Sequence, residues 1–104
     1  MDINKGPRTN FHFGLAIVAL KAGDKLARTG WNGKDMFIYL VDGSLIDRCD
    51  LRGKAREHML PLLKVGQCVG VCPHIDMKAA DGSIVIGWLA SQTDMLADDW
   101  FIVE

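Results

Sequence analysis

No apolar run in this 104-residue chain approaches the ~20 residues needed to cross a bilayer; the longest, 15–20 and 83–90, are far shorter. A helical membrane span is therefore excluded. Charge of one sign is equally lacking: 12 Lys and Arg against 13 Asp and Glu leave a net charge of −1. Such a balance supplies no field to draw the chain to a DNA or RNA duplex or to an anionic membrane. Cysteines number three, an odd count, and the first ten residues are polar, without the apolar stretch of a secretory leader. The expectation is a cytoplasmic protein in a reducing compartment. Prolines also number three, and no repeat or low-complexity tract interrupts the chain, so no linker divides it.

What remains is a globular balance, 49% hydrophobic and 24% charged, which excludes a disordered or collagen-like chain. The length predicts one domain over residues 1–104, with 1–9 as a mobile or partner-ordered arm. So short a domain buries only part of its apolar surface, which favours association with copies of itself.

The fold class read from the pattern is α+β. Phe13, Ile17 and Leu20 share one face of a helix over 11–22, with Asn10 as its N-cap and Gly23 in position to end it. Segments 25–29 and 36–41 flank Gly30-Trp31-Asn32-Gly33-Lys34, where Asn-Gly predicts a tight hairpin turn. A turn at 42–44 leads to a strand over 45–48 that extends the same sheet. Gly53 and Pro61 predict a short or broken helix within 51–64. Segment 67–72 reads as a strand, Pro73 marks a strand start or an edge, and Asp81-Gly82 joins strands 74–78 and 83–87. Ser91 and Asp94 form a capping pair for a helix to about residue 97, and 100–103 closes the sheet. The architecture is an N-terminal helix packed on a mainly antiparallel sheet of hairpins, with a short C-terminal helix and a last strand.

The candidates for chemistry are few. Cys68, Cys72, His74 and Cys49 carry zinc-ligand atoms, but the spacing lacks the second close pair of a structural zinc site, so no metal is expected. Cys72 or Ser91 with His58 or His74 has no supporting motif: neither a Gly-x-Ser-x-Gly elbow nor a Walker loop nor a dinucleotide fingerprint occurs. No catalytic residue and no cofactor are expected. Polar groups gather with tryptophans in two places, Arg28 to Asn32 and His74 to Lys78 with Gly87 to Asp94. On a strand His74, Asp76 and Lys78 project to one side and Ile75 and Met77 to the other. A tryptophan face suits a purine, Asp and Asn suit ribose and base edges, and the start of the helix after Ser91 suits phosphate. A core or subunit-interface role for Trp31, Trp88 and Trp100 accounts for the same residues.

The blocks Asn10-Phe11-His12-Phe13-Gly14, Gly30-Trp31-Asn32-Gly33-Lys34, Pro73 to Lys78 and Gly87 to Trp100 resemble, in order, a family of small phage and prophage proteins. Members include the second type of Thoeris anti-defence protein, which sequesters the cyclic ADP-ribose isomers made by bacterial TIR-domain enzymes; certain members also capture cyclic oligonucleotides. The resemblance implies a homotetramer in the bacterial host cell, with interfacial pockets that hold the intact signal, and no enzymatic activity. It places ligand-binding residues at Arg28, Trp31, Asn32, His74, Asp76, Trp88, Ser91, Gln92, Thr93 and Asp94. Trp31 or Trp88 would stack on adenine, Asp76 and Asn32 would bond ribose or base, and Ser91, Gln92, Thr93 and Arg28 would meet the pyrophosphate. Ile86, where the family often has proline, the segment 49–72 and the first eight residues depart from the pattern. The competing reading is a structural or regulatory homo-oligomer that binds a different nucleotide or metabolite.

Overall fold

The computed structural model describes residues 9–104; the arm expected over 1–9 lies, apart from Thr9, outside the described residues. Contacts gather the chain into two compact units, one running up to Val41 and resuming over His74–Glu104, the other Asp42–Pro73.

The first unit holds α1 (Phe13–Lys21), β1 (Lys25–Arg28), β2 (Phe37–Val41), β5 (His74–Lys78), β6 (Ile84–Val85), α3 (Gln92–Leu96) and β7 (Trp100–Val103). Its strands form one sheet in the order β6-β5-β2-β1-β7, antiparallel throughout. Leu26 pairs with Ile38 and Ile38 with Met77, so three buried side chains stand in one row across the sheet. α1 lays Ala16, Ala19 and Leu20 against that row, joined by Phe11 and Trp100. Trp100, Leu20, Leu26 and Ile38 are the largest fully buried side chains. Each large apolar side chain so buried contributes roughly 1.5–3 kcal/mol.

α1 begins two residues later than its apolar spacing predicts. Its N-cap is His12, whose Nδ1 accepts the Leu15 N–H at 3.2 Å, and Asn10 instead takes φ 60°. The reason is tertiary: Phe11 exchanges two backbone hydrogen bonds with Trp100, of 2.9 and 3.2 Å, and is itself buried. These gains hold residue 11 in extended form. Gly23 ends the helix at φ 99° as expected.

β1 and β2 form the predicted antiparallel pair, yet the connection is not the tight Asn-Gly turn. Residues 29–36 make a longer loop in which the positive φ falls on Asp35, at 58°. Gly33 serves close packing there: a Cβ at this position would run into the Met36 side chain and the Cβ of Ala80. The β5–β6 hairpin turns at Gly82, φ 91°. The Asp81 carboxylate accepts the Ser83 hydroxyl at 2.6 Å and its N–H at 2.9 Å. α3 opens on the capping pair read from the sequence.

In the second unit β3 (Ser44–Asp47) and β4 (Cys68–Val71) form a two-stranded sheet of their own. The strand expected to extend the main sheet therefore pairs elsewhere, because 68–71 offers it a matching antiparallel partner, with Ser44 opposite Val71 and Asp47 opposite Cys68. Between them lie a 3-10 turn at Arg48–Asp50, α2 (Gly53–Met59) and a second 3-10 turn at Leu60–Leu62. Gly53 starts α2 at φ 60°, and Pro61 sits in the turn that follows it. Leu51 is buried in this unit. Cys49, Cys68 and Cys72 are exposed, and none of them is in a disulfide among the described residues. Among the described residues no group of three His, Cys, Asp or Glu is placed to hold a metal. No helix among them is long and apolar enough to cross a membrane.

Candidate functional site

Asp94 collects the end of β1, the loop after it and the start of α3 around one carboxylate. Within the capping box Asp94 N–H donates to Ser91 Oγ at 3.0 Å, and Ser91 N–H donates to Asp94 Oδ2 at 3.2 Å. The other oxygen, Oδ1, accepts from Arg28 Nη1 at 2.8 Å and from the Trp31 indole N–H at 3.0 Å. Its backbone carbonyl accepts the Trp100 indole N–H, also at 3.0 Å. Burial alone pushes the Asp94 carboxyl up; the hydrogen bonds from Trp31, Arg28 and Ser91 outweigh that and hold it below the usual carboxylate range.

Arg28 is shared between two acids. Its Nε donates to Asp99 Oδ1 at 2.8 Å, and Asp99 Oδ2 also takes the Gly30 N–H at 2.8 Å. The Arg28 hydrogen bonds, joined by the Gly30 N–H, hold the Asp99 carboxyl below its usual value, while Asp99 and then Asp94 hold the guanidinium above its own. With only 12% of its side chain exposed, Arg28 is a strut across the unit, and its donors point at carboxylates of the chain itself.

Three tryptophans pack beside this network. Trp31 lies 5.3 Å from Trp100 and 6.1 Å from Trp88, and Trp88 lies 6.3 Å from Trp100, all in edge-to-face arrangement. Such geometry sets the positive rim of one ring against the negative face of the next. Of the residues expected at a site, Arg28, Trp31, Ser91 and Asp94 are thus directly bonded together, with Trp88 packed against Trp31. Asn32, Gln92 and Thr93 are exposed. Asp76 is buried and accepts the Gly87 N–H at 3.1 Å, with His74 Nε2 at 3.5 Å.

The opposite face of the sheet, turned away from α1, carries a cavity of about 460 Å³. Its floor follows from register. Lys78 stands opposite Phe37, and Ala27 stands opposite Phe101. Since Leu26 pairs with Ile38, Ala27 also lies next to Phe37, so Lys78, Phe37, Ala27 and Phe101 cross the sheet in one row. The 29–36 loop forms a wall with Thr29, Trp31, Gly33 and Asp35. Lys78 Nζ donates to the Asp35 carbonyl at 2.9 Å and lies 5.9 Å from the centre of the Phe37 ring. Lys25 Nζ lies 4.9 Å from the same ring. Cation–ring contacts at exposed sites contribute about 0.5–1 kcal/mol each.

Arg28 and Trp31 line this cavity as well as anchoring Asp94, so the hub fixes one of its walls. Reading the sequence missed Asp99 and the aromatic floor. The signal for the floor was present as alternation: Lys25 and Ala27, Phe37 and Tyr39, and Phe101 and Val103 each project to one side of a strand.

A cavity of this size with an aromatic floor and the Lys78 ammonium in its lining has the chemistry to hold a flat, anionic small molecule. Residues 11–103 match the Thoeris anti-defense 2-like domain model. The chain is 35% identical over 97 residues to Thoeris anti-defense 2 of Bacillus phage SP01, covering 93% of this chain and 99% of that protein. By the extent of both matches, the chain belongs to the Thoeris anti-defense 2-like family.

Proposed function

We propose that this protein counters Thoeris defence by binding a cyclic ADP-ribose-type signalling nucleotide and holding it intact. The observation that carries the reading is the cavity of about 460 Å³ with phenylalanine and Lys78 on its floor. Its volume falls within the range of small-molecule sites, and rings and cations meet in it as a purine and phosphates require. Family membership supplies the biological setting.

Sequestration works by mass action: the protein must be abundant and its ligand slow to leave. An enclosing site strips water from the ligand's charges and so strengthens their pairing. Assembly into a homotetramer, with pockets completed between subunits, would add to that enclosure. Leu15, Val18, Ile84, Ile86, Leu89 and Leu96 are exposed apolar residues of the first unit that support such association.

The test is isothermal titration of the purified protein with a panel of cyclic ADP-ribose isomers, followed by heating and chromatography of the released ligand. Tight binding of one isomer, recovered unchanged, is the expected result. A recovered product of different mass identifies an enzyme. No binding across the panel removes the signal-sequestering reading and favours a structural or regulatory oligomer.

A further inference from the structure

We propose that Lys25 and Lys78 are the anion-recognition element of the cavity, seating a phosphate or pyrophosphate group of the ligand against the ring of Phe37. The inference rests on the reading that this cavity holds the sequestered nucleotide, and it names the residues that grip its charge.

The placement comes from the sheet. Phe37 lies on β2, between β5 and β1. Lys78 stands directly opposite it on β5, and Lys25 reaches it diagonally from β1, putting its ammonium 4.9 Å from the ring centre. Two like charges are thereby gathered over one aromatic side chain. Among the described residues neither lysine forms an ion pair. Lys78 donates to a neutral acceptor, the Asp35 carbonyl, which holds its stem along the loop wall and leaves further N–H donors available. Asp35 lines the cavity and gives Lys78 its carbonyl, Asp81 is engaged by Ser83, and Asp76, in the adjacent row of this face, is buried and accepts the Gly87 N–H.

Arg28, the cation that the sequence puts forward for phosphate, is committed to Asp94 and Asp99 through three of its N–H groups. Lys78 is the remaining cation that lines the cavity, held by the Asp35 carbonyl and the Phe37 ring, and Lys25 reaches the same ring from beside the lining. Both contacts are weaker than a charge-assisted hydrogen bond to phosphate, so an incoming anion takes the ammonium groups without breaking an ion pair.

The experiment compares the full-length chain with Lys25→Gln, Lys78→Gln, the double Gln variant and a double Arg variant, each checked by thermal melting. The probes are cyclic ADP-ribose isomers, inorganic pyrophosphate and adenosine, titrated at low and high salt. Each Gln substitution should weaken binding of the phosphate-bearing probes about tenfold, the double variant about a hundredfold, and the salt dependence should flatten with each charge removed. The double Arg variant should keep most of the affinity, and adenosine should bind weakly to all. A role confined to the fold would change melting and not the salt slope. Full affinity in the double Gln variant overturns the proposal and leaves the nucleotide reading standing. Lysine-dependent binding of pyrophosphate without binding of any isomer supports the proposal and removes the nucleotide reading. A chain that binds no phosphate-bearing probe overturns both.

Discussion

Arg28 and Asp94 meet at 2.8 Å and tie the last residue of β1 to the first turn of α3. Asp99 grips the same guanidinium at 2.8 Å from the other side. The triad sets one wall of the cavity, because Trp31 hangs from the same Asp94 oxygen as Arg28.

Acid should loosen this triad. The Asp94 and Asp99 carboxyls both lie below their usual values in the fold. A depressed carboxyl contributes stability that is fully present above its unfolded value, about pH 4, and is lost as pH falls through the lower folded value. Urea unfolding midpoints should therefore hold steady from pH 7 to about 5 and drop below about pH 4. Asp99→Asn should start lower and show a shallower acid limb. An acid limb identical to that of the unaltered chain removes Asp99 from the cause.

The cap and the hub are separable. Ser91→Ala removes one oxygen that accepts the Asp94 N–H and should cost about 1 kcal/mol. Asp94→Ala removes the cap partner and also leaves Arg28 with one acid and the Trp31 N–H with no acceptor. It should cost about 2–4 kcal/mol. For a domain of this length each kcal/mol is a shift of about 4–8 °C in Tm, so calorimetry resolves the two. Equal shifts would show that Asp94 acts only as a cap.

Most of the fold was legible because the sequence states it locally. The alternation in β5, the Asp81-Gly82 turn and the Ser91-Asp94 cap each need only neighbouring residues. What escaped depends on distant partners. Phe11 leaves the helix because it pairs with Trp100, 89 positions further along. Strand β3 lies in a second sheet because β4 is there to receive it, a choice that strand propensity does not encode. The candidate site was half legible for the same reason: residue types drew attention to Arg28, Trp31 and Asp94, which the fold brings together, while only register put Lys25, Phe37 and Lys78 together.

Gly33 is constrained by space. Gly33→Ala should push the added methyl against Met36 and Ala80, whose Cβ would lie 2.9 Å away. Since Gly33 and Met36 both line the cavity, the loop can yield only by reshaping it. The expected result is a loss of about 1–3 kcal/mol in stability together with weaker ligand binding. Unchanged affinity in a destabilised variant would separate the loop from the site.

The two tryptophans that the sequence offers as alternatives for stacking should part company on mutation. Trp31 lines the cavity and donates its indole N–H to Asp94. Trp88 packs on Trp31 and Trp100 and is absent from the cavity wall. Trp31→Phe keeps an aromatic ring but loses the hydrogen bond that orients it, so the ring is freer to leave the wall. If the cavity holds the proposed nucleotide, this should weaken its binding about tenfold, roughly the effect of one lost hydrogen bond. Trp88→Phe keeps an aromatic contact in the cluster and should lower Tm while leaving affinity within about twofold, since edge-to-face pairs contribute about 0.5–1.5 kcal/mol beyond their area. Titration and melting on both variants check this in one series. The reverse pattern, affinity lost at Trp88 and kept at Trp31, would move the ligand off the sheet face and onto the side where α3 begins.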